Sequence, residues 1–161
     1  MKVAFVMGSD SDLDIVRGAV EVVKSFGVEV EVRIISAHRT PAVAEKFARE
    51  ARENGIGVIV AAAGMAAHLA GVLAAYTTLP VVALPIAAKR LDGIDALLAM
   101  VQMPPGIPVA TVGIDGSKNA GLLALQILGV SNQEVADKLA QYKEDMEKQV
   151  IEKDKKISQQ F

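Results

Sequence analysis

The stretch VAFVMGSDSD (residues 3–12) decides the fold that this sequence predicts. It begins with five apolar residues in a row, a pattern typical of a strand covered on both faces of a parallel sheet. The run stops at Gly8, and residues 12–26 then show the spacing of an amphipathic helix that ends before Gly27. A buried strand, a short polar loop and a helix form the repeating unit of an α/β protein.

The same unit recurs along the rest of the chain. Thr40 and Pro41, for example, stand where a helix N-cap and a first helical residue are expected. Five strands that alternate with helices favour a single α/β domain over residues 1–161, built on a three-layer, doubly wound (flavodoxin-like) parallel sheet in the order 2-1-3-4-5. The predicted strands are 3–7, 28–35, 56–61, 81–84 and 109–114, and the predicted helices are 12–26, 41–54, 66–76, 92–103 and 119–128.

Residues 131–161 are predicted to form a long, charged C-terminal helix with one apolar stripe. The two faces of the predicted sheet already have five helices to cover them. We therefore expect this stripe to pack at least partly on a neighbouring subunit. A surface of small residues over 66–75 allows close backbone approach, either within the monomer or to another copy. The stripe consists of Val135, Leu139, Tyr142, Met146 and Val150.

The composition narrows the range of functions. The 161 residues have a formal net charge of -2, no cluster of basic residues and 4% aromatic residues, so no nucleic-acid partner is expected. Cysteine is absent, and two histidines in separate loops make a metal site unexpected. The opening apolar run is too short for a signal peptide and no run is long enough to cross a bilayer, so we expect a cytoplasmic protein without a membrane partner.

The loop after the first strand is the first candidate site. Gly8, Ser9 and Ser11 place backbone N–H groups and two hydroxyls at a helix N-terminus, where the helix dipole favours an anion such as phosphate. The simpler interpretation is that Ser11 caps the helix and that Asp12 balances the dipole. Two acids beside a phosphate would repel it, so at least one of Asp10 and Asp12 is expected to face ribose hydroxyls.

The loop after the second strand carries Ser36, His38 and Arg39. In a 2-1-3 sheet this loop lies beside the first one. Arg39 can bind phosphate through two parallel hydrogen bonds, and His38 can exchange a proton near neutral pH. Either residue alone would be interpreted as an ordinary surface side chain. Their position beside a phosphate-binding loop favours a catalytic site.

The loop after the third strand, AAAGMAAH (residues 61–68), has almost no polar side chains. It offers backbone groups and an apolar wall, which suit a small apolar molecule or a flat ring. His68 ends this loop, and its default interpretation is a structural histidine with a satisfied hydrogen bond. The sequence lacks the Gly-x-Ser-x-Gly and Walker motifs, and it lacks the aspartate that a phosphoacceptor domain carries after the third strand.

Five short motifs follow one another along the chain: MGSDSD (residues 7–12), SAHRTP (36–41), AAHL (66–69), VQMP (101–104) and PVAT (108–111). In this order they closely resemble class I of the PurE family, the N5-carboxyaminoimidazole ribonucleotide mutases of purine biosynthesis. The likeness covers nearly the whole chain, and no single motif would carry it.

The resemblance implies that a carboxylate moves from the exocyclic nitrogen to ring carbon 4 of 5-aminoimidazole ribonucleotide, with no metal and no organic cofactor. By position, Ser9 and Arg39 would bind the 5′-phosphate with help from Ser11, and Asp12 would hold the ribose hydroxyls. His38 would be the catalytic acid and base. It would protonate the carbamate nitrogen so that carbon dioxide leaves and is recaptured at carbon 4, and it would then remove the carbon-4 proton.

The resemblance also implies a set of substrate-binding positions and an assembly. The backbone of Ser36 and Ala37 and that of residues 63–65 would enclose the carboxylate and the ring. Family members are typically octamers whose C-terminal segment reaches another subunit, which agrees with the uncovered apolar stripe. The substrate-binding positions that it implies are Gly8, Ser9, Ser11, Asp12, Ser36, Ala37, Arg39, Ala63, Gly64, Met65, His68 and Leu69.

Two departures from the family pattern fall at the third loop. Many class I members have AGGAAHLPG where this chain has AGMAAHLAG (residues 63–71). Met65 therefore puts a side chain beside the expected carbon dioxide pocket, and Ala70 replaces a rigid proline.

Two other functions remain open. Class II enzymes of the same fold carboxylate aminoimidazole ribonucleotide directly with free carbon dioxide. They usually carry Lys where Arg39 stands and lack the equivalent of His68, so these two residues favour the mutase. A non-catalytic nucleotide-binding module of the same topology would not need His38 beside a phosphate site.

Overall fold

The computed structural model describes residues 1–161 and alternates strands and helices in the predicted order. Two short 3-10 turns, Asp10–Asp12 and Leu91–Gly93, precede the first and fourth helices. The strands are β1 (Lys2–Met7), β2 (Val30–Ile34), β3 (Ile56–Gly64), β4 (Val81–Ile86) and β5 (Ala110–Thr111). The helices are α1 (Leu13–Ser25), α2 (Pro41–Glu50), α3 (Leu69–Tyr76), α4 (Ile94–Val101), α5 (Ser117–Gly129) and α6 (Gln133–Ser158).

The five strands form one parallel sheet in the order β2-β1-β3-β4-β5, which confirms the predicted topology. The register decides where the loops lie. Met7, the last residue of β1, pairs with Ile34 of β2 on one side and with Ala62 of β3 on the other. Gly64 of β3 pairs in turn with Ile86 of β4. The loops after β1, β2, β3 and β4 therefore all leave the sheet at the same edge.

The continuous apolar run of β1 serves two hydrophobic cores, one on each face of the sheet. Ala4 and Val6 belong to the core that α2, α3 and α4 cover. Val3, Phe5 and Met7 alternate with them and belong to the core beneath α1, α5 and the start of α6. Burial of one such large side chain contributes about 1.5–3 kcal/mol. The absence of polar residues from residues 3–7 of β1 is thus explained by a strand with no solvent-exposed face there.

Two element boundaries differ from the prediction at the third loop. The strand β3 continues to Gly64, three residues beyond the predicted end at 61, because it stays paired with β4 up to Ile86. The following helix begins at Leu69 and not at 66. Met65 has a left-handed conformation with φ of 53°, and the N–H groups of Ala67 and His68 donate to the carbonyls two residues earlier, which keeps residues 65–68 out of the helix. Part of the predicted third loop is therefore strand.

Two further boundaries differ on the β4–β5 side. The strand β5 has only two residues, where residues 109–114 were predicted, because it lies at the sheet edge and the chain turns at Asp115, whose φ is 52°. The helix α4 begins at Ile94 and not at 92, because Leu91 and Asp92 both have positive φ. The sequence shows which segments are apolar, but it does not show that these three residues adopt a left-handed backbone.

The apolar stripe of α6 is covered only in its first half. Val135 is buried, and Tyr142 packs on Phe26 with ring centroids 6.0 Å apart. Farther along, Met146 is 40% exposed and Val150 is 65% exposed. A helix of 26 residues is about 39 Å long, so its second half extends past the core. No helix of this structure combines the length and the apolar character that a membrane span requires.

Candidate active site

A cleft with a volume of about 730 Å³ lies at the edge where β1, β2, β3 and β4 end. Its size is that of a site for a small organic molecule. Eleven predicted binding positions and His38 line it, and His68 is the one predicted site residue that does not. The predicted residues that line the cleft are Gly8, Ser9, Ser11, Asp12, Ser36, Ala37, His38, Arg39, Ala63, Gly64, Met65 and Leu69.

The first loop forms a helix N-terminus with its own side-chain cap. The Ser9 hydroxyl accepts a hydrogen bond from the Ser11 backbone N–H at 3.4 Å and donates to Asp10 Oδ1 at 3.1 Å. The cap residue is thus Ser9, and the simpler interpretation that placed Ser11 there is wrong. The Ser11 hydroxyl instead donates to Asp12 Oδ1 at 3.2 Å. The two hydroxyls and the N-terminal backbone N–H groups make this end of the loop suitable for an anion.

Asp12 is the one buried charged side chain of the chain, with 8% of its surface exposed. Burial raises its pKa above the ordinary value, and the nearby Asp10 carboxylate acts in the same direction with a smaller effect. The hydrogen bonds from the Ser11 side chain and the Ser9 backbone oppose this shift without cancelling it. A carboxylate that stays buried against its desolvation cost is typical of a functional site.

We predict that Asp12→Asn stabilises the protein at neutral pH. Because the folded-state pKa of Asp12 is raised above 3.8, the folded state binds more protons than the unfolded state in the window above pH 3.8, and stability falls as the pH rises through the raised pKa. Removing the charge should raise the free energy of unfolding at pH 7 by about 0.5–1 kcal/mol. Urea unfolding at pH 5 and pH 7 measures the difference.

The matched control for this prediction is Asp14→Asn, which removes an exposed carboxylate from the first turn of α1. This change should not stabilise the protein, because an exposed acid near a helix N-terminus is favourable. Equal stability of Asp12→Asn and the unmodified protein at pH 7 would contradict a destabilising role for the Asp12 charge.

The second loop is a tight turn that Ser36 and Thr40 close from both ends. The Thr40 backbone N–H donates to the Ser36 carbonyl at 2.9 Å, and the Thr40 hydroxyl both donates to that carbonyl and accepts from the Ser36 N–H, each at 3.0 Å. Thr40 stands at the N-cap position of α2, but its side chain makes no cap hydrogen bond because it closes this turn. Pro41 occupies the first helical position, as predicted.

Arg39 joins the second loop to the first. Its Nη2 donates to the Gly8 carbonyl at 2.9 Å, and its Nε donates to the Ser36 hydroxyl at 3.3 Å. The Nη1 group has no hydrogen-bond partner in the protein, which leaves donors directed away from these contacts. The predicted closeness of the two loops is therefore present, with a guanidinium held beside the hydroxyl-rich turn.

The two histidines of the chain contact each other across two loops. His38 Nε2 and His68 Nδ1 are 2.8 Å apart, and the rings meet edge to face at an interplanar angle of 86°. His38 lines the cleft, whereas His68 is not among its lining residues and stands at the N-cap position of α3. The expectation that His68 has a satisfied hydrogen bond agrees with this contact. His38 and His68 are 30 residues apart in the chain, so the sequence did not indicate that they would be hydrogen-bond partners.

The third and fourth loops give the cleft an apolar wall. A Cβ atom on Gly64 would lie 3.1 Å from the Ile86 carbonyl oxygen, so the two strand ends approach closely. Met65 follows with its side chain 62% exposed at the cleft. The sequence did not reveal the contribution of the fourth loop, because the two residues of this loop that line the cleft, Ala87 and Ala88, carry no polar side chain. The lining residues missed are Ala66, Ile86, Ala87 and Ala88.

Asp115 is a second residue that sequence reasoning missed. Its Oδ1 accepts a hydrogen bond from the Ala87 backbone N–H at 2.9 Å, and its own N–H donates to the Pro85 carbonyl at 2.9 Å. Its left-handed backbone, with φ of 52°, brings the carboxylate back to the fourth loop. Asp115 thus fixes the loop that carries the Ala87 side of the cleft. No cluster of three or more histidine, cysteine or acidic residues suited to a metal ion is present.

These features define an α/β protein whose loops, at the carboxyl ends of parallel strands, build one nucleotide-sized cleft with an imidazole, a guanidinium and hydroxyl groups. The chain belongs to the AIR carboxylase family, whose model matches residues 2–149. This match confirms the family resemblance predicted from the five motifs.

Individual relatives agree with this assignment. The chain is 57% identical to the N5-carboxyaminoimidazole ribonucleotide mutase of Pyrococcus abyssi over 147 residues, which are 91% of this chain and 84% of that protein. It is 50% identical to the chloroplastic phosphoribosylaminoimidazole carboxylase of Vigna aconitifolia over 95% of this chain but 28% of that longer protein. The crystal structure of Treponema denticola PurE matches with a TM-score of 0.88 and 30% identity, over 96% of each chain.

Proposed function

We propose that this chain converts N5-carboxyaminoimidazole ribonucleotide into 4-carboxy-5-aminoimidazole ribonucleotide, an isomerase reaction of de novo purine biosynthesis. The observation that carries the proposal is the hydrogen bond of 2.9 Å from Arg39 to the Gly8 carbonyl. It places His38, the neighbour of Arg39, in one cleft with the hydroxyl-rich turn after β1. The relatives named above support the choice of substrate.

The phosphate end of the substrate fits the first two loops. Ser9 and Ser11 supply hydroxyls at the N-terminus of the first helical turn, where the dipole favours an anion. Arg39 supplies the positive charge through its Nη1 group, while its other nitrogens hold the loops together. Asp12, which accepts from Ser11, is suited to bind the ribose hydroxyls, because a carboxylate accepts hydrogen bonds from them.

The carboxylate transfer needs one proton to be given and one to be taken back. The bond between the carboxylate carbon and N5 breaks, its electron pair stays on N5, and His38 donates a proton there as carbon dioxide leaves. The electron pair of the enamine-like ring then attacks carbon dioxide from carbon 4. His38 removes the carbon-4 proton, which restores both the ring and the protonated histidine. A single histidine suffices, because the proton that it gives to N5 is replaced by the one that it removes from carbon 4 in the same turnover.

Carbon dioxide must stay in the cleft between the two bond changes. The wall formed by Ala63, Met65 and Ile86 offers carbon dioxide apolar side chains and no polar one. Retention keeps the gas close to carbon 4, so recapture is an intramolecular step with a high effective concentration. The apolar character of the third loop is thus accounted for. We also propose that the reaction needs neither a metal nor an organic cofactor. The cytoplasm is the proposed location of the enzyme.

An isotope experiment separates the mutase from the direct carboxylase. Substrate labelled with 13C in the N5 carboxylate is incubated with enzyme in unlabelled bicarbonate buffer, and the product is analysed by mass spectrometry. A mutase retains the label in the product. A direct carboxylase incorporates unlabelled carbon and turns over aminoimidazole ribonucleotide at low bicarbonate. A non-catalytic nucleotide-binding module gives no product above the spontaneous rate.

We also propose that the second half of α6 packs on another copy of this chain in a homo-oligomer, with the octamer of the family as the expected assembly. Support comes from the second half of the stripe, in which Met146 and Val150 are 40% and 65% exposed. The double substitution Met146→Glu/Val150→Glu should lower the assembly mass in sedimentation velocity, because like charges would be buried at the contact. Lys148→Ala, on the opposite face of α6, should leave the mass unchanged. An unaltered mass in the double variant would contradict the proposed contact.

A further inference from the structure

The contact between the two histidines lies outside the roles assigned so far. His68 is exposed and is not among the residues that line the cleft. Its side chain makes one hydrogen bond, the 2.8 Å contact from its Nδ1 to His38 Nε2. His38 does line the cleft. The contact therefore gives the His68 side chain a direct way to act on the ring of His38.

A hydrogen bond between two ring nitrogens contains one proton. If both nitrogens were protonated they would repel each other, and if neither were protonated there would be no bond. His38 Nε2 is thus occupied by His68 whichever ring formally holds the shared proton. The remaining nitrogen of His38, Nδ1, is the only one left to exchange a proton with a ligand in the cleft.

We propose that His68 is a positioning residue that orients the His38 ring and assigns its proton exchange with the substrate to Nδ1. This inference rests on the proposed function. The edge-to-face geometry, with the rings at 86°, fixes the plane of His38 as well as the identity of the engaged nitrogen. A histidine on an exposed loop would otherwise be free to turn about its side-chain bonds.

The proton balance of the pair matches the reaction. In the acid form the two rings carry three N–H protons and one positive charge: one on His38 Nδ1, one between the rings and one on His68 Nε2. Donation from Nδ1 to the substrate leaves two protons and a neutral pair, with the inter-ring hydrogen bond intact. Return of the carbon-4 proton to Nδ1 restores the acid form.

The structure provides a matched set of variants. Asparagine at position 68 would keep a polar atom near the place of Nδ1, which contacts His38, whereas glutamine would place its amide near the position of Nε2. The backbone contacts of His68, from its N–H to Ala66 O and from Val72 N–H to its own carbonyl, do not involve the ring. His68→Asn, His68→Gln and His68→Ala therefore test the atom that makes the contact and leave the fold in place.

We expect His68→Ala to lower kcat by about 10-fold to 100-fold, the range known for partners that orient metal-ligating histidines, with KM unchanged within about 3-fold. His68→Asn should recover most of the lost kcat, and His68→Gln should not. A kcat for His68→Ala equal to that of the unmodified enzyme, a change in KM alone, or equal rates for Asn and Gln would overturn the inference. Thermal unfolding of the three variants should coincide.

A spectroscopic measurement tests the contact without turnover. The chain has two histidines, so protein labelled with 15N-histidine gives a solid-state NMR spectrum of four ring nitrogens. A cross-peak should link the Nε2 of one ring to the Nδ1 of the other, and it should be lost in His68→Ala. Its absence in the unmodified protein would overturn the inference while leaving the function in place. Failure of the unmodified enzyme to turn over the substrate would instead overturn the proposed function, and the inference with it.

Discussion

Replacing His38 by asparagine is expected to lower kcat by about 1,000-fold or more while substrate binding stays within about 3-fold of the unmodified enzyme. The reaction needs a group that gives a proton to N5 and removes one from carbon 4, and an amide can do neither at neutral pH. Binding should survive because the phosphate and ribose contacts come from Arg39 and the first loop. Single-turnover kinetics and calorimetric titration with the product measure the two quantities separately.

The outcome for His38→Asn also separates the candidate functions. Retained binding with lost turnover fits a catalytic acid and base. Turnover that persists within about 3-fold would remove His38 from the chemistry, because a general acid and base normally contributes at least about 100-fold. The control is Asn54→Ala, an exposed position in the turn that follows α2, which should change neither quantity.

Replacing Arg39 by alanine is expected to raise KM by about 100-fold, since one charge-assisted hydrogen bond to phosphate is worth about 1.5–3 kcal/mol and the change also releases Gly8 and Ser36. The effect should fall on KM more than on kcat, because the phosphate does not react. Lysine at position 39 keeps the charge but not the planar set of donors, so Arg39→Lys should cost about 10-fold.

A matched control for Arg39 is Arg52→Ala. Arg52 is also exposed and also makes a side-chain hydrogen bond, to Thr78, but it lies far from the carboxyl ends of the strands. Its loss should leave KM unchanged. A KM for Arg39→Ala within about 3-fold of the unmodified enzyme would contradict phosphate binding by Arg39.

The topology could be predicted because buried parallel strands leave a strong pattern. The VAFVM run of β1 has no polar residue, and a strand of this kind needs cover on both faces, which the two cores provide. Once the order 2-1-3-4-5 is set, the edge at which the loops meet follows from the parallel direction. The closeness of Arg39 to Gly8 was therefore accessible from the sequence alone.

Other features depend on side-chain or backbone geometry that no local pattern encodes. The contact between His38 and His68 joins two loops and requires particular ring orientations. Asp115 reaches Ala87 through a left-handed backbone that a non-glycine residue rarely adopts, so its part in the fourth loop left no signal. The stripe of α6 was visible, but the sequence did not show that its first half packs on α5.

A crystal structure with bound 4-carboxy-5-aminoimidazole ribonucleotide tests most directly whether the loops share one substrate. The phosphate is expected within hydrogen-bonding distance of Ser9, Ser11 and Arg39, and carbon 4 about 3–3.5 Å from His38 Nδ1. A nucleotide bound at another place on the molecule, or one whose ring lies beyond the reach of His38 while its phosphate occupies the first loop, would contradict the proposed site.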